Sequence, residues 1–318
     1  RDVLGSRGLG DVYKRQSLRT LNLPNGLTEM RDGVVEGCDS LETLHLPSKL
    51  EYISGIWPSK LKTVTTAFGS VRYVSEDGIL YDTQDNSIVF VSASITGHVT
   101  VRDGITKIGE GAFSGRAGLT GITLPESCTV IDPNAFKNCT SLTAINFPEK
   151  LELIGRNAFY NSGITSLKLS QPGIHVGSFA FAYCHQLKSV EITSTDFDMM
   201  EYAFANCENL ETAILPPQVF RMEGGCFTEC TSLTTVVLPK NITDVHGFKG
   251  CTSLKTIEIP DSVTRIDYNA FAECESLESI HLPDGVTSID GLAFAHCYAL
   301  KEINLPDSLT TVSYTHLT

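Results

Sequence analysis

The chain has 318 residues, of which 42% are hydrophobic and 19% charged, and its formal net charge is −13. This acidic balance argues against a nucleic acid or an anionic membrane surface as partner, because both attract clustered Lys and Arg. No apolar run approaches the roughly 18–20 residues that a membrane-spanning helix needs, so we expect no direct membrane insertion.

The two ends of the chain differ from everything between them. Residues 1–16 ("RDVLGSRGLGDVYKRQ") and 313–318 ("SYTHLT") follow no pattern found elsewhere in the chain and look like translated adapter or assembly-junction sequence. We expect both ends to be non-native or unstructured, and the chain to be a piece of a longer reading frame. Both are left out of the fold prediction.

A repeat of 21–23 residues occupies most of the remaining chain, with the template C-x-S-L-x-x-I-x-L-P-x-x-V-x-x-I-x-x-x-A-F-x-x. Its L-x-x-I-x-L part predicts a short strand with one buried face. The following Pro ends that strand because it cannot donate a ladder hydrogen bond. The V-x-x-I and A-F parts bring further apolar side chains inward. Copies of the template begin near Ser17, Cys38, Arg116, Cys139, Ser162, Cys184, Cys207, Cys230, Cys251, Cys274 and Cys297.

Stacking of these copies predicts the fold class. One copy cannot bury its own apolar face, whereas stacked copies bury a continuous column. No ten-residue segment shows helical periodicity. We therefore predict a mostly β solenoid of about 12 coils, built from strands and turns with few or no long helices.

Taken in chain order, the repeats fall into two arrays separated by an insertion. Residues 17–72 are the N-terminal repeats, and residues 98–312 are the regular 21–23-residue repeats. Between them, residues 73–97 begin with "YVSEDGILYDTQDNSIVFVS", which alternates polar and apolar positions around the turn pairs Asp77-Gly78 and Asp85-Asn86. This pattern predicts an inserted β-hairpin.

The arrangement L-P-x-x-V-x-x-I-x-x-x-A-F-x-x-C resembles the BspA-like leucine-rich repeats of bacterial and some protist surface proteins. The resemblance covers nearly all of residues 17–312, and "DGILY" hairpins occur in such arrays. It implies a leucine-rich-repeat solenoid at the cell surface or secreted, with an adhesin-type role and host matrix or cell-surface proteins as partners.

The cysteine at the start of most repeats admits three interpretations: a disulfide framework, a metal site or a column of free core thiols. Stacked side chains at equivalent positions run parallel, so they do not aim at each other as a disulfide requires. A tetrahedral metal site needs four ligands that converge on one point, whereas a column spreads them along a line. Since Arg116 and Ser162 fill the same slot, a thiol is not obligatory there. We favour free, buried thiols.

A catalytic or cofactor site is not indicated by the sequence. The eight histidines scatter along the chain, and no motif for zinc proteolysis, serine hydrolysis or dinucleotide or phosphate binding occurs. His296 and Cys297 are adjacent, but neighbouring residues usually point apart. We expect no enzyme activity, no metal and no cofactor.

The remaining candidate surface is the solvent-facing side of the strands, expected to be concave. One of its two rows of residues is mostly Ser and Thr, which suit a tight sheet. Ile214 and Val237 are adjacent apolar exceptions flanked by charge, and such exposed apolar groups can mark a contact site. The candidate partner-binding residues on this face are Lys168, Glu191, Ile214, Val237, Glu258 and His281.

Three aromatic residues of the insertion, Tyr73, Tyr81 and Phe90, form a second candidate contact surface, with packing onto the array as the alternative. The leading functional hypothesis is a non-enzymatic module that binds a protein partner through the concave strand face. The alternative is a structural stalk that spaces other domains of a larger surface protein.

Overall fold

The computed structural model describes residues 17–31, 34–35, 37–55, 57–219 and 221–313. The predictions for residues 1–16 and 314–318 lie outside these ranges. Within them the chain contains 27 strands and no helix, and it winds into a β-solenoid of about 12 turns. The predicted fold class is therefore confirmed.

The L-x-x-I-x-L segments form the first ladder of parallel strands. In β15 (Ser166–Leu169) and β17 (Ser189–Ile192), Leu167 and Val190 point into the core, whereas Ser166 and Ser189 point away from it. Copies pair in register, as Thr20 does with Thr43 in the first two coils. The strands of the first ladder are β1 (Thr20–Asn22), β3 (Thr43–Leu46), β5 (Thr63–Thr66), β9 (Gly97–Thr100), β11 (Leu119–Thr123), β13 (Ala144–Ile145), β15 (Ser166–Leu169), β17 (Ser189–Ile192), β19 (Thr212–Ile214), β21 (Thr235–Val237), β24 (Ser279–Ile280) and β26 (Glu302–Ile303).

The V-x-x-I segments form a second ladder, which the sequence pattern did not predict. Each contributes a two-residue strand, and before the last coil its second residue points inward, as Ile131 and Ile154 do in neighbouring coils. The strands of the second ladder are β2 (Glu29–Met30), β4 (Tyr52–Ile53), β10 (Lys107–Ile108), β12 (Val130–Ile131), β14 (Leu153–Ile154), β16 (His175–Val176), β18 (Asp198–Met199), β20 (Arg221–Met222), β22 (Asp244–Val245), β23 (Arg265–Ile266), β25 (Ser288–Ile289) and β27 (Thr311–Val312).

In the regular repeats from Phe113 onward, the Phe at the A-F position of each coil belongs to one continuous stack of rings along the core. Successive ring centroids lie 4.9–5.7 Å apart, and most of the ring planes are within about 10° of parallel. Such offset-stacked pairs add to the stabilisation that burial alone provides. The stack comprises Phe113, Phe136, Phe159, Phe181, Phe204, Phe227, Phe248, Phe271 and Phe294.

The cysteine column consists of free thiols, as predicted. From Cys139 onward, each thiol donates to the main-chain carbonyl of the Phe in the preceding coil, at Sγ–O distances of 3.0–3.3 Å. The other occupants of the slot also form hydrogen bonds to a neighbouring coil or strand: Arg116 Nε donates to the carbonyl of Val91, and Ser162 Oγ lies 3.3 Å from Cys184 Sγ. The slot therefore favours a small or extended donor.

The insertion predicted as a hairpin is a meander of three antiparallel strands, β6 (Tyr73–Glu76), β7 (Ile79–Asp82) and β8 (Ser87–Val91). Both predicted turns are present, and Asp77 and Asn86 adopt positive φ in them. Strand β8 pairs with β10, so the meander joins the second ladder directly.

The coil that starts at Cys230 is short and lies obliquely between its neighbours. It has two residues fewer than the next coil between the second-ladder strand and the stacked Phe, "VHGF" against "IDYNAF". Its strand β21 pairs with β19 of the preceding coil, whereas its strand β22 pairs with β23 of the following coil. Losing two residues removes about 7 Å of extended chain. We infer that the coil is too short to stay level with both neighbours, so each ladder breaks on one side of it.

Candidate functional site

The six strand-face residues singled out from the sequence lie in one file, which is interrupted once. Lys168 pairs in register with Glu191, Glu191 with Ile214, and Ile214 with Val237. Glu258 forms a separate bridge with His281 one coil further on. The first ladder breaks between Val237 and Glu258, at the oblique coil.

Ile214 and Val237 form an exposed apolar pair at the end of the continuous part of this file. Their exposed fractions are 39% and 48%, and their side chains lie on adjacent strands. On one side the pair is bordered by the ion pair between Lys168 Nζ and Glu191 Oε1, at 3.0 Å. Exposed apolar groups bordered by charge are typical of a contact surface.

A cleft of about 380 Å³ opens beside this pair, where β21 diverges from the following coil. Its apolar walls are formed by Val236, Leu238, Ile259 and Pro260. Val236 is only partly buried, whereas Ala213, at the same position one coil earlier, is fully buried. The break in the ladder therefore gives solvent access to the edge of the core.

The rim of the cleft carries three charged side chains. Lys240 belongs to the oblique coil, and Glu258 and Asp261 belong to the coil that follows it. Among the described residues, no basic group lies within ion-pair distance of either carboxylate. Two acidic groups and one ammonium group therefore line the same partly apolar cleft.

Two asparagines in the same file of the strand face have a structural role. Asn146 Nδ2 donates to the carbonyl of Leu124 at 2.9 Å, and its Oδ1 accepts from the amide of Leu124 at 2.7 Å. Asn304 makes the same pair of bonds to Leu282. Each of these side chains satisfies the N–H and the carbonyl of one residue in the preceding coil, as a neighbouring strand would, and is therefore not free to bind a ligand.

Tyr73 and Tyr81 are buried, with exposed fractions of 2% and 7%. Tyr73 packs into the core of the N-terminal coils, and Tyr81 packs into the core of the regular repeats. The Cζ atom of the Arg102 guanidinium lies 3.7 Å from the centre of the Tyr81 ring and covers it. This burial corrects the expectation of an exposed contact surface, because side chains enclosed by the two cores offer almost no area to a partner. The insertion is a partition between the two arrays.

The thiols and histidines do not assemble into reactive groups in the described part of the chain. Burial raises the pKa of Cys139 to about 12 and that of Cys297 to about 11, which disfavours the nucleophilic thiolate. Cys297 donates to the carbonyl of Phe271, and His296 Nδ1 bonds to Tyr298 Oη, so the adjacent thiol and imidazole do not pair. The described residues also contain no group of three or more His, Cys, Asp or Glu arranged to hold a metal ion.

A family comparison decides what kind of repeat this is. The model of the BspA type leucine rich repeat region matches residues 11–69, 86–173, 152–247 and 244–317. The chain belongs to the BspA-type leucine-rich repeat family. A search of curated protein sequences found no match. Within the described residues of this BspA-type array, no helix is long and apolar enough to cross a membrane.

Solved structures agree with the fold of this BspA-type array. A leucine-rich repeat protein from Eubacterium ventriosum is 21% identical with a TM-score of 0.60, over 81% of this chain and 65% of that one. One from Bacteroides ovatus is 22% identical with a TM-score of 0.53, over 94% and 75%. The pneumococcal vaccine antigen PcpA is 22% identical with a TM-score of 0.55, over 74% and 71%. The array thus spans less than two thirds of the Eubacterium chain, and at these identities the likeness concerns the fold.

The residues that sequence reasoning missed are those of the cleft, above all Val236, Lys240 and Asp261. The signal was present, because the step from Cys230 to Cys251 is 21 residues where most steps are 23. The consequence could not be derived from that number. Which ladder opens, and on which side of the short coil, depends on how the coil tilts.

Proposed function

We propose that this BspA-type array is a non-enzymatic protein-interaction module of a cell-surface or secreted, adhesin-like protein. It binds a host matrix or cell-surface protein through the strand face of the first ladder. The observation that carries this proposal is the exposed pair of Ile214 and Val237, in a file that otherwise holds polar and charged side chains. The buried core of a protein interface is more apolar than its polar rim, so an apolar pair within a polar face suits the centre of a contact.

Family membership supports the surface location and the class of partner, and the exposed pair supports the binding face. The absence of a convergent nucleophile and base among the described residues favours presentation of a surface over catalysis. The acidic net charge of −13 favours a protein partner over nucleic acid.

The proposal is tested by surface plasmon resonance of the full chain over purified extracellular-matrix proteins, together with binding to intact host cells. The double variant Ile214→Lys with Val237→Lys should weaken saturable binding at least tenfold while the circular dichroism spectrum stays unchanged. Ser166→Lys, an exposed change on the same face, is the matched control and should bind as the parent chain does. Equal affinity of the double variant and the parent would rule out this face.

A stalk or spacer role is the second candidate, and the unbroken stack of nine Phe rings favours it because the stack keeps successive coils in register. A spacer should bind no matrix or cell-surface protein at any concentration tested. It should also leave cell attachment unchanged when the array is replaced by one of equal length from another repeat protein.

A further inference from the structure

The cleft beside Val237 has the composition of a socket for one long, cationic side chain. Its walls are aliphatic, its volume of about 380 Å³ exceeds that of any single side chain, and its rim carries the carboxylates of Glu258 and Asp261. We propose that the cleft receives an arginine side chain on an extended segment of a protein partner. This inference rests on the proposed binding function of the strand face and names the chemistry of the partner there.

The apolar walls suit the stem of an arginine. Val237 comes from the oblique coil and Pro260 from the coil that follows it, and both line the cleft. Arginine buries its three methylene groups along apolar surface while its charged head remains at a polar boundary. An arginine inserted between these residues would cover Val236, which the break in the ladder leaves partly exposed.

The rim suits the guanidinium group. Glu258 and Asp261 have no ion-pair partner among the described residues, in contrast to Glu191, which is paired with Lys168. A guanidinium donates several hydrogen bonds in a planar fork that matches carboxylate geometry, which a lysine ammonium cannot do. Lys240 lies on the other wall, so the rim keeps an excess of negative charge.

The position of the cleft places this contact where binding energy usually concentrates. It is directly beside the exposed pair of Ile214 and Val237, so an extended segment could lie across the pair and insert its arginine at the break in the ladder. Interface hot spots are enriched in Arg and cluster in pockets that neighbouring contacts shield from water. The net charge of −13 also favours the approach of a basic segment.

The probe for this proposal is a synthetic library of nonapeptides with random flanks and a central arginine. A matched library carries citrulline, which keeps the shape of arginine without its charge. Retention on the immobilised full chain should be at least tenfold greater for the arginine library. Equal retention of the two libraries, or retention of neither, would overturn the arginine socket.

Two variants locate the binding. Glu258→Gln with Asp261→Asn removes both rim charges at nearly constant shape and should abolish the preference for arginine. Glu275→Gln with Asp284→Asn, two exposed carboxylates outside the cleft and outside the candidate binding residues, is the matched control and should retain it. A preference that survives in the Glu258→Gln, Asp261→Asn chain would also overturn the proposal.

A third variant closes the cleft without changing its lining. Replacing His246–Gly247 by Asp-Tyr-Asn-Ala, the segment at 267–270 of the next coil, restores the common coil length of 23 residues. It should level the coil, rejoin the first ladder and remove peptide binding. If the parent chain still binds a matrix protein in a manner sensitive to Ile214→Lys with Val237→Lys, but shows no preference for arginine, the proposed function stands and the socket falls.

Discussion

The thiol of Cys207 donates a hydrogen bond to the main-chain carbonyl of Phe181 in the preceding coil, at an Sγ–O distance of 3.2 Å. Six further cysteines make the equivalent bond. The column is thus a ladder of weak donors that ties each coil to the one before it. This ladder explains why Cys recurs at this position in an array without disulfide bonds.

Two replacements of Cys207 should distinguish the contribution of its packing to stability from the contribution of its hydrogen bond. Cys207→Ser keeps a hydroxyl donor at this position, whereas Cys207→Ala loses the donor. We expect the serine variant to be the more stable of the two by about 1 kcal/mol, the usual net contribution of one hydrogen bond. Urea unfolding of both variants measures the difference. A more stable alanine variant would show that the slot selects only for apolar character.

Stability should fall as the pH rises above about 9. Burial raises the folded-state pKa of Cys128 to about 11 and that of Cys226 to about 12, from an ordinary value near 9. Between these values the unfolded chain loses protons that the folded chain retains. Each such thiol should therefore lower the free energy of unfolding by about 1.4 kcal/mol per pH unit.

Urea midpoints measured from pH 7 to 10.5 check this dependence. The curve of unfolding free energy against pH should be flat below pH 8 and descend above pH 9. The Cys128→Ala variant should have a shallower slope above pH 9, because unfolding then releases roughly one proton fewer. A Lys62→Gln variant, at an exposed amine, is the control and should leave the descent as steep as in the parent. A flat curve through pH 10.5 would contradict buried, protonated thiols.

Truncating one ring of the Phe stack should cost more in the middle of the array than at its end. Phe204 is fully buried and has a stacked ring on each side, at 5.4 and 5.7 Å. Phe294 is 9% exposed and stacks with Phe271 alone in the described chain. We expect Phe204→Ala to cost about 3–5 kcal/mol, the range for a buried Phe, and Phe294→Ala clearly less. Thermal unfolding of both variants tests the order, which equal losses would refute.

Asn146 should stabilise the array through its two bonds to Leu124. Asn146→Ala removes both and should cost about 1–2 kcal/mol in the free energy of unfolding. Asn22 occupies the same file in the first coil described, where no earlier described coil offers it a main-chain partner. Asn22→Ala should therefore be close to neutral in the same urea titration. A cost for Asn22→Ala as large as that for Asn146→Ala would assign the effect to strand propensity.

Much of the candidate site could be located from the sequence because register in a repeat array is set by residue count. Ile214 and Val237 are 23 residues apart at equivalent positions, so stacking had to place them side by side. The same reasoning fails where the count changes. The two-residue deficit before Phe248 indicated an irregular coil, but the cleft beside Val237 depends on the tilt that the coil adopts.

The tyrosines of the insertion illustrate the other limit. Alternation along "YVSEDGILYDTQDNSIVFVS" predicts strands and turns, and both turns formed where expected. Alternation cannot distinguish a strand with one face in solvent from a strand packed on both faces. Leu80 enters one core and Tyr81 the other, because the meander lies between two arrays.

By itself, then, the sequence determined the family, the winding of the chain and the identity of every stacked column, because each depends only on periodic spacing. The tertiary structure alone decided where the first ladder opens beside Val237 and which core side chains that opening exposes. That opening depends on how each coil lies against both of its neighbours. The coil that is two residues short pairs with the preceding coil through its first-ladder strand only, and with the following coil through its second-ladder strand only.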